Sequence, residues 1–282
     1  TDGDATSGIK EWKTASVDAT VVENASEQVT WNAGWYVVTG TDVTLSQGVI
    51  CSGNVRLILA DGAKLTATGI DDVLNSTPGI QVSGDGNSLT IYGQTAQTGR
   101  LIATGKTYSA GIGGNGADAL RDGSNITING GTVTANGGSQ AAAIGGGLRG
   151  NGSNITINGG TVTAKGSAAG IGGGNRGNGT NIIINGGTVT ARGGDGSDGI
   201  GNGENATTPS SNIFVATWCI VKAGSSKTPT DVIENTGSDL ASSLEGKLNV
   251  IVKPMKVAVT YGDNITVSPA FDSGAEIAAG TQ

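Results

Sequence analysis

The phrase NITINGGTVTA spans Asn125 to Ala135 and recurs letter for letter from Asn154 to Ala164, and a near copy, NIIINGGTVTA, runs from Asn181 to Ala191. Between the copies lie glycine-rich elements built on an isoleucine: AGIGGNG around Ile112, AAIGGG around Ile144, AGIGGGN around Ile171 and DGIGNG around Ile200. The starts at Asn125, Asn154 and Asn181 set a period of roughly 28 residues, and a period of this length, made of strand-like pieces, specifies a solenoid.

Working outward, divergent copies start near residues 54, 88 and 212, so the coil is constant while its corner loops vary in length. Within NITI the alternation points Ile126 and Ile128 inward, and within GTVTA it points Val133 inward with Thr132 and Thr134 outside. Aligned across coils, the inward positions form columns. One runs Val55, Leu89, Ile126, Ile155, Ile182, Ile213; the next Leu57, Ile91, Ile128, Ile157, Ile184, Val215; a third Leu65, Leu101, Val133, Val162, Val189, Val221. No single coil can hide such an apolar face alone, but a stack can. The expected fold is therefore all-β: a right-handed parallel β-helix of about six to seven coils, three strands per coil, rising about 4.8 Å per rung.

Glycine pairs in INGG and IGGG serve as corners with positive φ and close backbone approach. Asn129, Asn158 and Asn185 precede the GG corner, where asparagine tolerates the left-handed region and its amides can hydrogen-bond along the stack. Residues 1–39 read as a linker and N-terminal cap, with Trp12, Trp31, Trp35 and Tyr36 covering the open end. Residues 40–253 are the β-helix, closed by a short amphipathic piece and a last strand from Leu248 to Lys253. Residues 254–282 read as a linker and the start of a β-sandwich-like domain.

Composition narrows the function classes. The 51 glycines follow no three-residue period, which excludes collagen, and regularly placed aliphatics argue against disorder. A net charge of −7 without a basic run argues against nucleic acid. No apolar run approaches membrane-spanning length. Coil counting separates Cys51 and Cys219 by about five rungs, or roughly 24 Å, too far for a disulfide.

Taken together, WNAGWYVV (Trp31 to Val38), GNVRLILADGAKLTATG, GNSLTIYGQ and the later AGIGG with NITINGGTVTA resemble a family of glycine-rich β-helical surface proteins of gut and other anaerobic bacteria. The resemblance covers about residues 30 to 225. It implies a secreted or surface-anchored module, described as an adhesin or carbohydrate-binding domain, with a small β-sandwich repeat joined after Met255.

The chain contains no histidine, which removes the commonest general base and the usual zinc ligand. Lyases and hydrolases on β-helices depend on clustered carboxylates, and outward strand positions here are Thr and Asn. The loop acids Asp71, Asp72, Asp85, Asp118 and Asp122 read as solvated corners. Asp195, Asp198 and Glu204, on the flexible loop GGDGSDGIGNGEN, are the candidate ligands of a calcium ion. Arg121, Arg149 and Arg176 recur with nearly the period of the coil and suggest a basic ladder along one corner, able to grip carboxylates of an acidic polymer or else copied as solubilising loop charges. Tyr92 and Tyr108 are candidate sugar-stacking residues, and Trp218 a closing residue of the last coil. Two outward Thr files, from Thr132 and Thr134, suit a sheet surface before an ice-binding one. The expected function is a non-catalytic bacterial cell-surface module for adhesion or polysaccharide binding, its partner a polysaccharide or host glycan. The alternatives are a structural stalk and a polysaccharide lyase or hydrolase.

Overall fold

A computed structural model describes residues 18–72, 76–116, 121–260 and 266–270, with only the backbone of 256–260 and 266–270. Expectations that fall on Trp12 and Asp118 lie outside the described residues. Each regular coil has three strands. In the coil holding the first exact phrase these are Gly123–Ile128, Thr132–Asn136 and the two-residue Ile144–Gly145. The coil is a parallel β-helix turn, with each strand pairing in register to its counterpart above and below.

Registers reproduce the columns read from the sequence. Ile126 pairs with Leu89 on one side and Ile155 on the other, and the file continues to Ile182 and Ile213. Val133 sits between Leu101 and Val162, followed by Val189. The isoleucines of the short strands form a further file, Ile80, Ile112, Ile144, Ile171 and Ile200. All of these are fully buried and belong to one continuous apolar core. At about 1.5–3 kcal/mol per buried aliphatic, this axial core is the main driving force for stacking.

The short Ile-Gly strand and the long strand derive from one element. In the early coil a single strand, Val49–Leu59, pairs through Val49 with Ile80 and through Val55 with Leu89. Later coils break it with a glycine corner. At Gly145, φ is +130° and an added Cβ would lie 2.0 Å from the Gly172 carbonyl oxygen, so the chain turns there only because no side chain is present.

Three features depart from expectation. Val29–Val38, assigned by sequence to the cap, is itself a rung: it pairs in parallel with Val49–Leu59, broken by a bulge between Asn32 and Gly34. Ala19–Val21 adds a partial rung beyond it. Trp31 is buried there and stacks on Tyr36 with centroids 5.0 Å apart, so the aromatics fill the end of the array from within a coil.

The second departure is at the other end. Asn249–Pro254, expected as one more strand, runs antiparallel and inserts between Thr188–Arg192 and Cys219–Gly224. Val252 therefore occupies the place above Val189 that the aliphatic pattern assigned to Val221. The short amphipathic piece is the helix Ala241–Leu244, whose Leu244 is buried in the core. Asp239 finishes this end: its carboxylate accepts from the backbone N–H groups of Asn212 (2.8 Å), Ile213 (2.8 Å) and Ala241 (3.0 Å). The first two donors belong to the last long strand, Ser211–Val215, and the third to the first turn of the helix. Lys256–Thr260 and Thr266–Ala270 pair antiparallel with each other.

The third concerns asparagine. The asparagines that take the left-handed conformation in the long strands are Asn125, Asn154, Asn181 and Asn212, with φ of 58°, 52°, 52° and 56°. The second glycine of each GG pair takes the positive φ at the other corner, as at Gly131 (81°), leaving Asn129, Asn158 and Asn185 free to use their side chains along the stack. Both Cys51 and Cys219 are buried free thiols.

Candidate functional site

The predicted site residues fall in different places. Two loops border the short Ile-Gly strands and lean on each other: one leads into the strand, the other leads out to the long strand. Leu148 N–H donates to the Tyr108 carbonyl (2.8 Å), and Asn175 N–H to the Gln140 carbonyl (2.9 Å). Tyr108 and Gln140 are thus equivalent positions, both left-handed, facing the file Leu148, Asn175, Glu204.

Arg149 and Arg176 are the next file. Arg149 N–H donates to Asn175 O (2.8 Å) and Arg176 N–H to Glu204 O (2.6 Å), and their φ values, 61° and 66°, match. Both are exposed. Lys64 pairs with Asp42 at 2.9 Å, whereas neither of these arginines is tied to a carboxylate among the described residues.

Arg121 does not join them. A Cβ on Gly150 would meet Arg121 O at 1.9 Å, and Asn151 N–H donates to Asp122 Oδ1 (2.6 Å), which aligns Arg121 with Gly150 and Asp122 with Asn151. Arg121 is half-buried and offset by one residue. The expected three-rung ladder is a two-rung ladder. The signal was present in the sequence: Arg121 precedes its strand asparagine by four residues, whereas Arg149 and Arg176 precede theirs by five.

Tyr92 lies on the long-strand face, remote in register from that corner. Its ring is 5.4 Å from that of Trp35, and the Arg56 guanidinium lies 5.4 Å from the Trp35 ring centroid. This Trp35, Arg56, Tyr92 group was missed as a unit because it requires Val29–Val38 to be a rung, which brings Trp35 opposite Arg56.

The three loop acids are separated in role. Asp198 is buried, accepting from Asn202 N–H at Oδ2 (2.8 Å) and from Gly246 N–H at Oδ1 (2.7 Å). Burial raises its pKa above the usual carboxylate range despite those two donors, with Glu245 adding to the rise. Glu204 accepts from the Asn175 side chain (3.0 Å), and Asp195 is exposed. Among the described residues no three Asp, Glu, Cys or His side chains converge as metal ligands. The expected calcium grouping is lost because Asp198 turns inward to tie the last regular coil to the closing helix region.

The Thr files hold register: Thr132, Thr161, Thr188 and Thr134, Thr163, Thr190. Arg100 and Ile102 bound them on one side, and Ile251 lies opposite Thr190 on the other. Beside them Lys165 and Arg192 face each other across adjacent rungs, a basic pair that the aligned phrases TVTAK and TVTAR already contained.

Two amide ladders complete the long-strand face. Asn185 Nδ2 donates to Asn158 Oδ1 (2.8 Å) and Asn158 Nδ2 to Asn129 Oδ1 (2.7 Å); Asn181 Nδ2 donates to Asn154 Oδ1 (2.6 Å) and Asn154 Nδ2 to Asn125 Oδ1 (3.2 Å). Trp218, 59% exposed, donates its indole N–H to the Asn185 carbonyl (3.1 Å).

This geometry defines a parallel β-helix repeat protein. Residues 126–148, 155–175 and 182–204 match the family described as Beta helix repeat. No curated protein and no solved structure matches the chain.

Proposed function

We propose that this chain is a non-catalytic attachment module of a bacterial cell surface, extracellular in location, that binds polysaccharide. The observation that carries this reading is the exposed pair Arg149 and Arg176, one rung apart, held by no carboxylate among the described residues and bordered by Tyr108. Two guanidinium forks in register suit carboxylates recurring along an acidic chain. The resemblance to glycine-rich surface proteins supports location and class. A non-catalytic role is favoured by a chain without histidine and by acids engaged in structure: Asp61, Asp198 and Asp239 each accept from backbone N–H groups.

The test is affinity electrophoresis through gels containing polygalacturonic acid. Exposed ion pairs contribute about 0.5–1 kcal/mol each, so the double change Arg149→Ala, Arg176→Ala should weaken retention about tenfold, and added salt should do the same to the parent. Arg121→Ala should leave retention unchanged. A double variant retained like the parent removes the arginine pair from the binding surface. Release of unsaturated or reducing ends from the polymer would overturn the non-catalytic reading.

A further inference from the structure

The outer surface of the long-strand face carries a different chemistry from the arginine corner. Its central file runs Thr127, Thr156, Ile183, Phe214 in register over four rungs. The two asparagine ladders flank that file, and none of these side chains is charged although the chain as a whole carries −7. An asparagine that gives one N–H and accepts one hydrogen bond within a ladder retains a second N–H and a second lone pair. The face therefore repeats its asparagine amides on three successive rungs, about 4.8 Å apart, with threonine hydroxyls between them on the first two and apolar Ile183 and Phe214 on the rungs nearer Trp218.

At its end stands Trp218. Its indole N–H is bonded to the carbonyl of Asn185, the last member of one ladder, so the ring is held in a fixed position at the foot of the amide array while remaining the most exposed large apolar side chain among the described residues. An indole fixed by its polar edge offers its apolar surface to a partner at little cost in side-chain order. Buried apolar packing does not explain it, and closing the core does not require it: Leu240 and Leu244 do that.

We infer that this face binds a neutral, extended pyranose chain lying along the rod axis, its ring stacked on Trp218 and its hydroxyls bonded to the asparagine and threonine rungs. The absence of charge across the named rungs is what selects a neutral chain over an acidic one, since a polyanion would find no cation there. The inference rests on the attachment reading and adds to it a second surface with its own ligand class.

Isothermal titration with cellohexaose, mannohexaose, xylohexaose and hexagalacturonic acid tests it, using the whole chain. The parent should bind at least one neutral hexasaccharide, and Trp218→Ala should weaken that binding at least tenfold. Thr156→Lys, which places a long cation in the middle of the face without touching Trp218, should weaken it comparably, with circular dichroism confirming that both variants keep the parent's fold. The Arg149, Arg176 double variant should bind the neutral chain like the parent. The inference is overturned if no neutral hexasaccharide binds, if both face variants bind like the parent, or if Trp218→Ala instead abolishes a concentration-dependent dimer seen by light scattering. Retained binding of hexagalacturonic acid, lost in the arginine double variant, would then leave the attachment reading standing without this face. Loss of all binding in the parent would remove both.

Discussion

Adding one methyl group at Gly152 should open the stack. Its φ lies outside the left-handed range, so the backbone itself would accept alanine. The obstacle is the next rung: a Cβ there would lie 2.0 Å from the Gly172 carbonyl oxygen and 2.4 Å from its carbon. Ordinary van der Waals contact begins at 3.4 Å, so the two rungs must part by well over an ångström. That movement must come from backbone paired above and below, Gly152 with Gly179 and Gly123, and Gly172 with Gly201 and Gly145. Overpacking a core by a methylene costs about 1–3 kcal/mol where side chains can adjust, and here none can, so about 3 kcal/mol or more is expected for Gly152→Ala. Gly62→Ala provides the contrast, with φ of +78° and nothing within 4 Å: its cost is conformational alone, about 1–2 kcal/mol. Urea unfolding followed by circular dichroism gives the two values. Because a solenoid is coupled mainly between nearest neighbours, hydrogen exchange at Ile155 and Ile171 should report the damage locally. If Gly152→Ala destabilises less than Gly62→Ala, close backbone approach is not what demands glycine in these corners.

Asp198 and Asp239 should respond to pH in opposite directions. The folded-state pKa of Asp198 is raised, so its contribution is present in acid and lost as pH rises through that value; the stability of the parent relative to Asp198→Asn should therefore grow as pH falls from 7 towards 4 in urea titrations, and a shrinking gap refutes the assignment. For Asp239 burial pushes upward, but three backbone donors together hold the pKa below the usual range, so its contribution is present near neutrality and lost in acid. Protection of the Ile213 amide, taken relative to the intrinsic exchange rate at each pH, should be lower in Asp239→Ala than in the parent at pH 7, and the two should converge below the normal carboxylate range. Burial raises both cysteine thiols, so a thiol reagent such as dithionitrobenzoate should react with neither Cys51 nor Cys219 until denaturant is added, and prompt labelling in the native protein would show an open core.

The candidate site was partly legible. Arg149, Arg176 and Tyr108 were readable as loop residues, and the structure places them at one corner because corner loops of adjacent coils stack with equal lengths. Arg121 failed because it stands one residue nearer its strand asparagine than Arg149 and Arg176 do, which puts it level with Gly150, and a shift of one changes which residue faces outward. Asp198 was readable as an acid on a glycine loop, but whether a loop acid faces water or the chain's own amides depends on what packs against it, here the segment around Gly246. Trp218 was legible as the residue of a last coil; its bond to Asn185 and its place beside the amide ladders required the rungs to be set in three dimensions.

By itself the sequence determined the coil. Alternating aliphatics at period two, recurring in each copy of the phrase, admit one economical burial, and the register follows because a slip of one residue would turn Ile126, Ile128 and Val133 out to water. What only the tertiary structure decided were the ends. An interior rung is specified by identical neighbours on both sides, whereas a terminal rung is specified by whichever segment best covers the exposed strand. At one end that segment was Val29–Val38, running parallel as an extra coil; at the other it was Asn249–Pro254, running antiparallel and displacing Cys219–Gly224 outward. Both directions satisfy the same backbone donors and bury the same apolar file, so strand direction is chosen by the path of the connecting chain, which no local pattern records.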